Sequence, residues 1–221
     1  MWLHARRSWN VSANKSRILN KQFSRLGILF VISAPSGAGK TTLVDALKQT
    51  GEFVYSVSCT TRPPREGEIE GVDYFFLSNA QFVERMNAGE FLEYAQVHGH
   101  YYGTWRDNVV SNLKDGRDVL IDIDTQGAAN VRTYQDEFIR QALADVFIMP
   151  PNLEELRRRL TKRGTETTEE IERRLGRAGQ EMKRWKDYRY TIISRSSEED
   201  LQKFRHIVEA ERYLSRRLIE N

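Results

Sequence analysis

The chain has 221 residues, 39% of them hydrophobic and 29% charged, the make-up of a soluble globular protein long enough for one domain with an insertion. Its net charge of +3 resides in the leading segment: Arg6, Arg7, Lys15, Arg17, Lys21 and Arg25 all precede the first acidic residue, Asp45, and the rest holds 28 basic against 31 acidic residues, which excludes a basic nucleic-acid-binding body. The single cysteine, Cys59, excludes an internal disulfide framework and suits a reducing compartment, and the longest apolar run, residues 26–34, is too short to span a membrane.

Residues 1–26 are basic, free of acid and dotted with serines, with Leu19, Phe23 and Leu26 at helical spacing opposite Lys21 and Arg25. They read either as an extension outside the fold, with the cytoplasm as the expected location, or as an organelle transit sequence. Residues 27–33 form a continuous apolar, β-rich run, the mark of a strand buried on both faces of a parallel sheet. A helix is predicted over 39–49, with Leu43, Ala46 and Leu47 on one face. Residues 53–105 change texture: Tyr, Thr, Phe and Gly dominate, in short alternating runs such as 74–77 and 91–97, as in a small, mainly antiparallel insertion. Two further buried strands are predicted at 119–124 and 144–149, followed by helices at 126–133 and 153–162. Thr167 and Glu170 form a capping box for a long helix whose apolar stripe is Ile171, Leu175, Ala178, Met182 and Trp185. A last strand is expected at 190–193. Strands alternating with helices define an α/β fold with a parallel sheet covered on both sides.

Between the first strand and the first helix lies Ala34-Pro35-Ser36-Gly37-Ala38-Gly39-Lys40-Thr41-Thr42. A strand, a Gly-rich turn and a helix in that order suit a phosphate-binding loop, with backbone N–H groups around the β-phosphate and the helix N-terminus adding partial positive charge. Lys40 would bridge the β- and γ-phosphates, and the Thr41 hydroxyl would ligate Mg²⁺. Ala34 stands where the pattern has its first glycine. A methyl group is the smallest addition there, and it matters only if φ must be positive or a neighbour fills the space.

Further along, "SVSCTTRPPREGE…GVDYFF", "GEFLEYAQVHGHYYGT", "LIDIDTQGA" and "RGTETTEEIERRL" occur in order, and over 27–213 the chain resembles the guanylate kinase family. The resemblance implies ATP + GMP giving ADP + GDP, with dGMP as a further acceptor and Mg²⁺ accompanying ATP. It implies a P-loop core (27–55, 108–154 and 185–213), an inserted GMP-binding subdomain (56–107), a mobile helical lid (155–184) and a tail at 214–221. Arg62 and Arg65, in a Pro-stiffened loop, suit the dianionic GMP phosphate as guanidinium forks, and the resemblance assigns Tyr74 and Tyr102 to the same phosphate. A carboxylate can accept both guanine N1–H and N2–H₂; the resemblance puts Glu93 there, helped by Asp124, with Ser58 and Thr104 as hydroxyls. Asp122 and Asp124 end a predicted buried strand on one face, where either can orient Mg²⁺ through water. Arg159, Arg163 and Arg174 are implied as lid arginines that close over the transferring phosphoryl.

Cys59, His98 and His100 read as residues without a chemical role. The family's usual Asn-Asp pair after the last strand is replaced by Ser194-Arg195-Ser196, which leaves Arg195 available either to stack on adenine or to sit in solvent. The expected partners are ATP and GMP, with no nucleic acid and no membrane, in a monomer or homodimer. A catalytically silent guanylate-kinase-like binding module is the alternative. Such modules erode the ATP loop, which this chain keeps.

Overall fold

The computed structural model describes residues 23–163 and 167–220. The chain opens with β1 (Phe23–Arg25), β2 (Leu29–Ser33), α1 (Lys40–Thr50) and β3 (Val54–Tyr55). An insertion follows: β4 (Cys59–Thr60), β5 (Phe75–Phe76), α2 (Asn79–Asn87), β6 (Phe91–Val97) and β7 (His100–Trp105). The chain then returns through α3 (Arg106–Lys114), β8 (Val119–Asp122), α4 (Thr125–Arg132), α5 (Glu137–Ala142) and β9 (Leu143–Met149). Helices α6 (Leu153–Arg163) and α7 (Thr168–Met182) precede β10 (Tyr190–Ile193), α8 (Ser197–Arg212) and β11 (Leu218–Glu220).

The central sheet has the order β10-β9-β2-β8-β3, with every pairing parallel. Its strands are near-continuous apolar runs because both faces are covered. On one face Val109 and Leu113 of α3, Ala128 and Val131 of α4, and Ile139 and Ala142 of α5 pack on the sheet. On the other face lie Leu43, Val44 and Leu47 of α1 with Phe204 and Val208 of α8. This is the predicted α/β architecture. The insertion is a second sheet, ordered β5-β4-β7-β6, antiparallel except for β4 with β5, around a small core of Cys59, Phe82 and Phe91.

Two features depart from the expectation. The helical stripe of α7 buries Ile171, Leu175 and Ala178 against Leu156 and Leu160 of α6, and the Thr167–Glu170 capping box forms with both of its bonds. Trp185, however, is 43% exposed, because residues Lys183–Asp187 are a 3₁₀ turn whose tighter winding rotates the stripe off the core. Asp124 is not in the strand: β8 ends at Asp122, and Asp124 is the N-cap of α4, its Oδ1 accepting the Gly127 N–H at 2.8 Å. The ends of the described chain are clasped together. β1 pairs antiparallel with β11, Arg25 donates to Asp118 at 2.7 Å, and Arg217 is buried against Glu211. Residues 1–22, which carry most of the extension or transit expectation, lie outside the described residues.

Candidate active site

The turn between β2 and α1 holds its shape through two glycines, Gly37 at φ 88° and Gly39 at φ 103°, conformations that side chains resist. Ala34 is not among the positive-φ residues, so its methyl brings no strain, and it packs against the core beneath α1. The Ala38 N–H closes the turn on the Pro35 carbonyl at 3.1 Å. No side chain caps α1, so its first N–H groups are left for an anion. Thr41 and Thr42 are exposed beside them.

Lys40 Nζ lies 3.3 Å from Asp122 Oδ2. The other oxygen of that carboxylate, Oδ1, accepts the Tyr55 hydroxyl at 2.6 Å. Both Lys40 and Asp122 keep about a quarter of their side chains open (24% and 22%), a surface a triphosphate can reach.

The helical arm of α6 and α7 sits directly on this loop. A Cβ on Gly37 would stand 2.8 Å from Leu160 Cδ2 and 3.2 Å from Leu156 Cδ1. Arg159 Nη1 donates to the Ala38 carbonyl (3.2 Å) and to Ser194 Oγ (3.0 Å), and its Nη2 to the Ser194 carbonyl (3.0 Å). Arg174 donates to Ser36 Oγ at 3.3 Å. From α7, Glu181 accepts the Ser36 backbone N–H, yet its carboxyl is raised overall, chiefly by burial. The Arg163 side chain lies outside the described residues. Beside the loop, a cavity of about 440 Å³ is lined by Gly39, Thr42, Arg159, Lys162, Ser194 and Arg195. Here the departure at 194–196 takes shape: Ser194 is held by Arg159, and the Arg195 N–H donates to Asp200 Oδ1 at 3.3 Å.

In the insertion, register puts Glu93 of β6 opposite Thr104 of β7. The Thr104 hydroxyl donates to Glu93 Oε1 at 2.6 Å. A register shift between Phe91 and Glu93 breaks the alternation, so Phe91, Leu92 and Glu93 are all buried; such a bulge re-aims a side chain. Burial pushes the Glu93 carboxyl up to about 7, against the lowering effect of Thr104, with the Asp124 charge adding to the rise. Space for this carboxylate comes from Gly127 in the first turn of α4: a Cβ there would meet Glu93 Oε2 at 2.5 Å and Asp124 Oδ1 at 3.3 Å. Ser58, also buried, precedes the β4 pair Cys59↔Gly103, so the same register continued brings it beside Thr104.

Between these regions Arg62 stacks on Tyr74, its guanidinium 5.4 Å from the ring centroid, and Tyr74 meets Tyr102 edge-on at 6.0 Å. Arg62 is also paired to Glu68 at 2.7 Å, and that hydrogen bond is the largest cause of its raised basicity. Burial, and then the Asp122 charge, push the Tyr74 hydroxyl up, so the Asp122 carboxylate is within electrostatic reach of this cluster. Arg65 is exposed; its backbone N–H donates to Glu68 Oε2 at 2.8 Å. Cys59 is buried in the small core, and burial raises its thiol. His98 makes the hairpin turn at φ 52° and lies 3.3 Å from Arg177 Nη1.

The sequence reading missed Tyr55, Glu68 and Gly127. A glycine inside a predicted helix at 126–133 was the one available signal for the last; Tyr55 and Glu68 carried none. Among the described residues no group of three or more His, Cys, Asp or Glu is placed to hold a metal.

Two regions suited to phosphate, one built of backbone N–H groups and Lys40 and one of Arg62 and tyrosines, both lie within electrostatic reach of the Asp122 carboxylate. That arrangement passes a phosphoryl group between two nucleotides, and it places the chain in the class of P-loop nucleoside monophosphate kinases. Comparison with known proteins narrows the class. The family model for guanylate kinase matches residues 27–211. The chain is 47% identical to the guanylate kinase of Coxiella burnetii over 185 residues, 83% of this chain and 87% of the relative. It is 42% identical to that of Clostridium tetani over 186 residues, 84% and 87% of the two chains. The crystal structure of guanylate kinase from Anaplasma phagocytophilum superposes with a TM-score of 0.74 at 34% identity, covering 89% of this chain and 92% of that one. The chain belongs to the guanylate kinase family.

Proposed function

We propose the following division of labour for this chain's reaction, the transfer of the γ-phosphoryl group from ATP to GMP to give ADP and GDP. The observation that carries the reading is the buried Glu93 carboxylate, held by Thr104 in the inserted sheet, while Lys40 stands at the glycine loop of the core. A carboxylate accepting guanine N1–H and N2–H₂ leaves adenine with nothing to offer, and a site built on such bonds rejects the wrong base by ~10⁴ or more. Glu93, Ser58, Thr104 and Asp124 read the base; Arg62, Arg65, Tyr74 and Tyr102 hold the GMP phosphate. Residues 34–42 hold the ATP phosphates. The insertion 56–107 is the acceptor subdomain, 155–184 the lid, and 27–55, 108–154 and 185–213 the core.

Phosphoryl transfer requires alignment and charge neutralisation more than covalent help. An oxygen of the GMP phosphate attacks the γ-phosphorus as the bond to the β-bridging oxygen breaks. Lys40 neutralises charge on the β- and γ-oxygens, and Arg174, already at Ser36, meets the transferring group with Arg159 and Arg163. Lid closure excludes water that would otherwise hydrolyse ATP. The Thr41 hydroxyl and the Asp122 carboxylate are hard oxygen donors of the kind Mg²⁺ takes, and they would hold it with ATP; when bound, it adds charge neutralisation at the phosphates. The cavity lined by Thr42 and Arg195 takes the ATP base. No described helix is long and apolar enough to cross a membrane, and cytoplasmic purine nucleotide metabolism is the setting we assign.

The test is an ADP-release assay with ATP, Mg²⁺ and each of GMP, dGMP, AMP, UMP, CMP and dTMP. Turnover confined to the guanine nucleotides is expected. Equal turnover with AMP would remove Glu93 from base selection, and GMP binding without turnover would make the chain a binding module.

A further inference from the structure

Tyr55 belongs neither to the phosphate loop nor to the base pocket, yet it is hydrogen-bonded to the carboxylate that pairs with Lys40. It lies on β3, the edge strand, opposite Leu120 of β8. Asp122, two residues on, shares that face by strand alternation. The Tyr55 hydroxyl occupies Asp122 Oδ1 at 2.6 Å, and Lys40 takes Oδ2 at 3.3 Å, so the single carboxylate is divided between two donors. The ring is fixed in turn by Lys48 of α1, whose Nζ stands 3.6 Å from the ring centroid, a cation–π contact.

We propose that Tyr55 is a positioning residue for the transfer: by holding one oxygen of Asp122, it restricts the carboxylate to a one-oxygen grip on Lys40 and leaves the ammonium available to the triphosphate. Without the hydroxyl, Asp122 can turn both oxygens toward Lys40 and compete with the nucleotide for it. The argument rests on Lys40 being the phosphate-binding lysine, as assigned above.

The experiment is a double-mutant cycle on binding, with Tyr55→Phe, Asp122→Asn and the pair, measuring ATP affinity by equilibrium titration in EDTA and GMP affinity alongside. One charge-assisted hydrogen bond corresponds to about a tenfold change. Tyr55→Phe should therefore raise the ATP Kd about tenfold in the wild-type background, leave the GMP Kd within about twofold, and do nothing in the Asp122→Asn background. The same loss of ATP affinity with and without the Asp122 carboxylate would overturn the proposal, since Tyr55 would then act through packing. So would an unchanged ATP Kd in the single variant. Lys40→Ala in the same titration separates the two levels. If Lys40→Ala leaves ATP binding intact, the assignment of Lys40 fails and the inference with it. If Lys40→Ala weakens ATP while Tyr55→Phe is silent, only the inference fails.

Discussion

Glu93→Gln should make the protein more stable and less able to bind GMP, and both differences from the wild type should grow as pH rises. Glu93 is 5% exposed, and burial raises its carboxyl from the ordinary 4.5 to about 7. The folded state thus prefers the protonated form. Its contribution to stability is complete below pH 4.5 and is lost as pH rises through 7. At 1.36 kcal/mol per pH unit the loss reaches about 3 kcal/mol by pH 8.5. Glutamine stays neutral and can still accept from Thr104, so the gap between variant and wild type should widen by about 2–3 kcal/mol between pH 5 and pH 8.5, or about 5–10 °C in Tm for a chain of this size. Guanine binding runs the other way: it recruits the ionised carboxylate, and an amide turns a donor toward the guanine N–H groups. The GMP KM should rise about 100-fold or more with the ATP KM nearly unchanged, and the wild-type affinity for GMP should fall as pH drops below about 7. Thermal melts at both pH values, with initial rates on each substrate, decide the matter. A Tm gap that is equal at pH 5 and pH 8.5 would refute the claim that a buried, ionisable Glu93 stores this energy, and an unchanged GMP KM would refute its role in base reading.

Gly127→Ala places a methyl 2.5 Å from Glu93 Oε2 while improving helix propensity, so the GMP KM should rise about tenfold without a drop in Tm; an unaltered GMP KM would show that the carboxylate has room to move. Lys40→Ala should reduce turnover by about 10³ or more while GMP affinity, measured by titration, holds within about twofold. Arg217→Met leaves the fully buried Glu211, among the described residues, with Arg189 (3.1 Å) and Tyr190 (2.7 Å), and denaturant unfolding should show a loss of about 3 kcal/mol. The Glu211→Gln/Arg217→Met pair, which leaves no buried carboxylate short of its partner and only the half-exposed Arg189 unpaired from it, should lose less than the single variant.

What could be read from the sequence is what local geometry enforces. Gly37 and Gly39 are legible because positive φ admits little else, and strands within the runs at 119–124 and 144–149 because a strand buried on both faces reads as a continuous apolar run. Glu93, Thr104, Arg62 and Tyr74 came from family motifs, and the structure brings Glu93 to Thr104 and Arg62 to Tyr74. Other residues depended on contacts far along the chain. Asp124 looked like strand because Asp-Ile-Asp alternates, but its side chain satisfies the Gly127 N–H and so starts a helix instead. Arg217 fell in the segment read as a tail, yet it is 1% exposed because two carbonyls of α5, at 2.7 and 3.0 Å, and Glu211 receive its guanidinium. Tyr55 lies on a two-residue strand, too short for any periodicity to register.

Strand β6 belongs to two cores at once: Phe91 packs into the small one and Leu92 into the main one, while the Asn130 amide of α4 donates to the Tyr94 carbonyl at 2.8 Å. The insertion is therefore sewn to the central sheet along β6, by packing on both sides of Glu93 as well as by the chain itself. Glu93 sits in that seam, and Arg62 lies beyond it. In the reading proposed above, the choice of base is thereby set into the join of the fold and the hold on the acceptor phosphate into the part that projects from it.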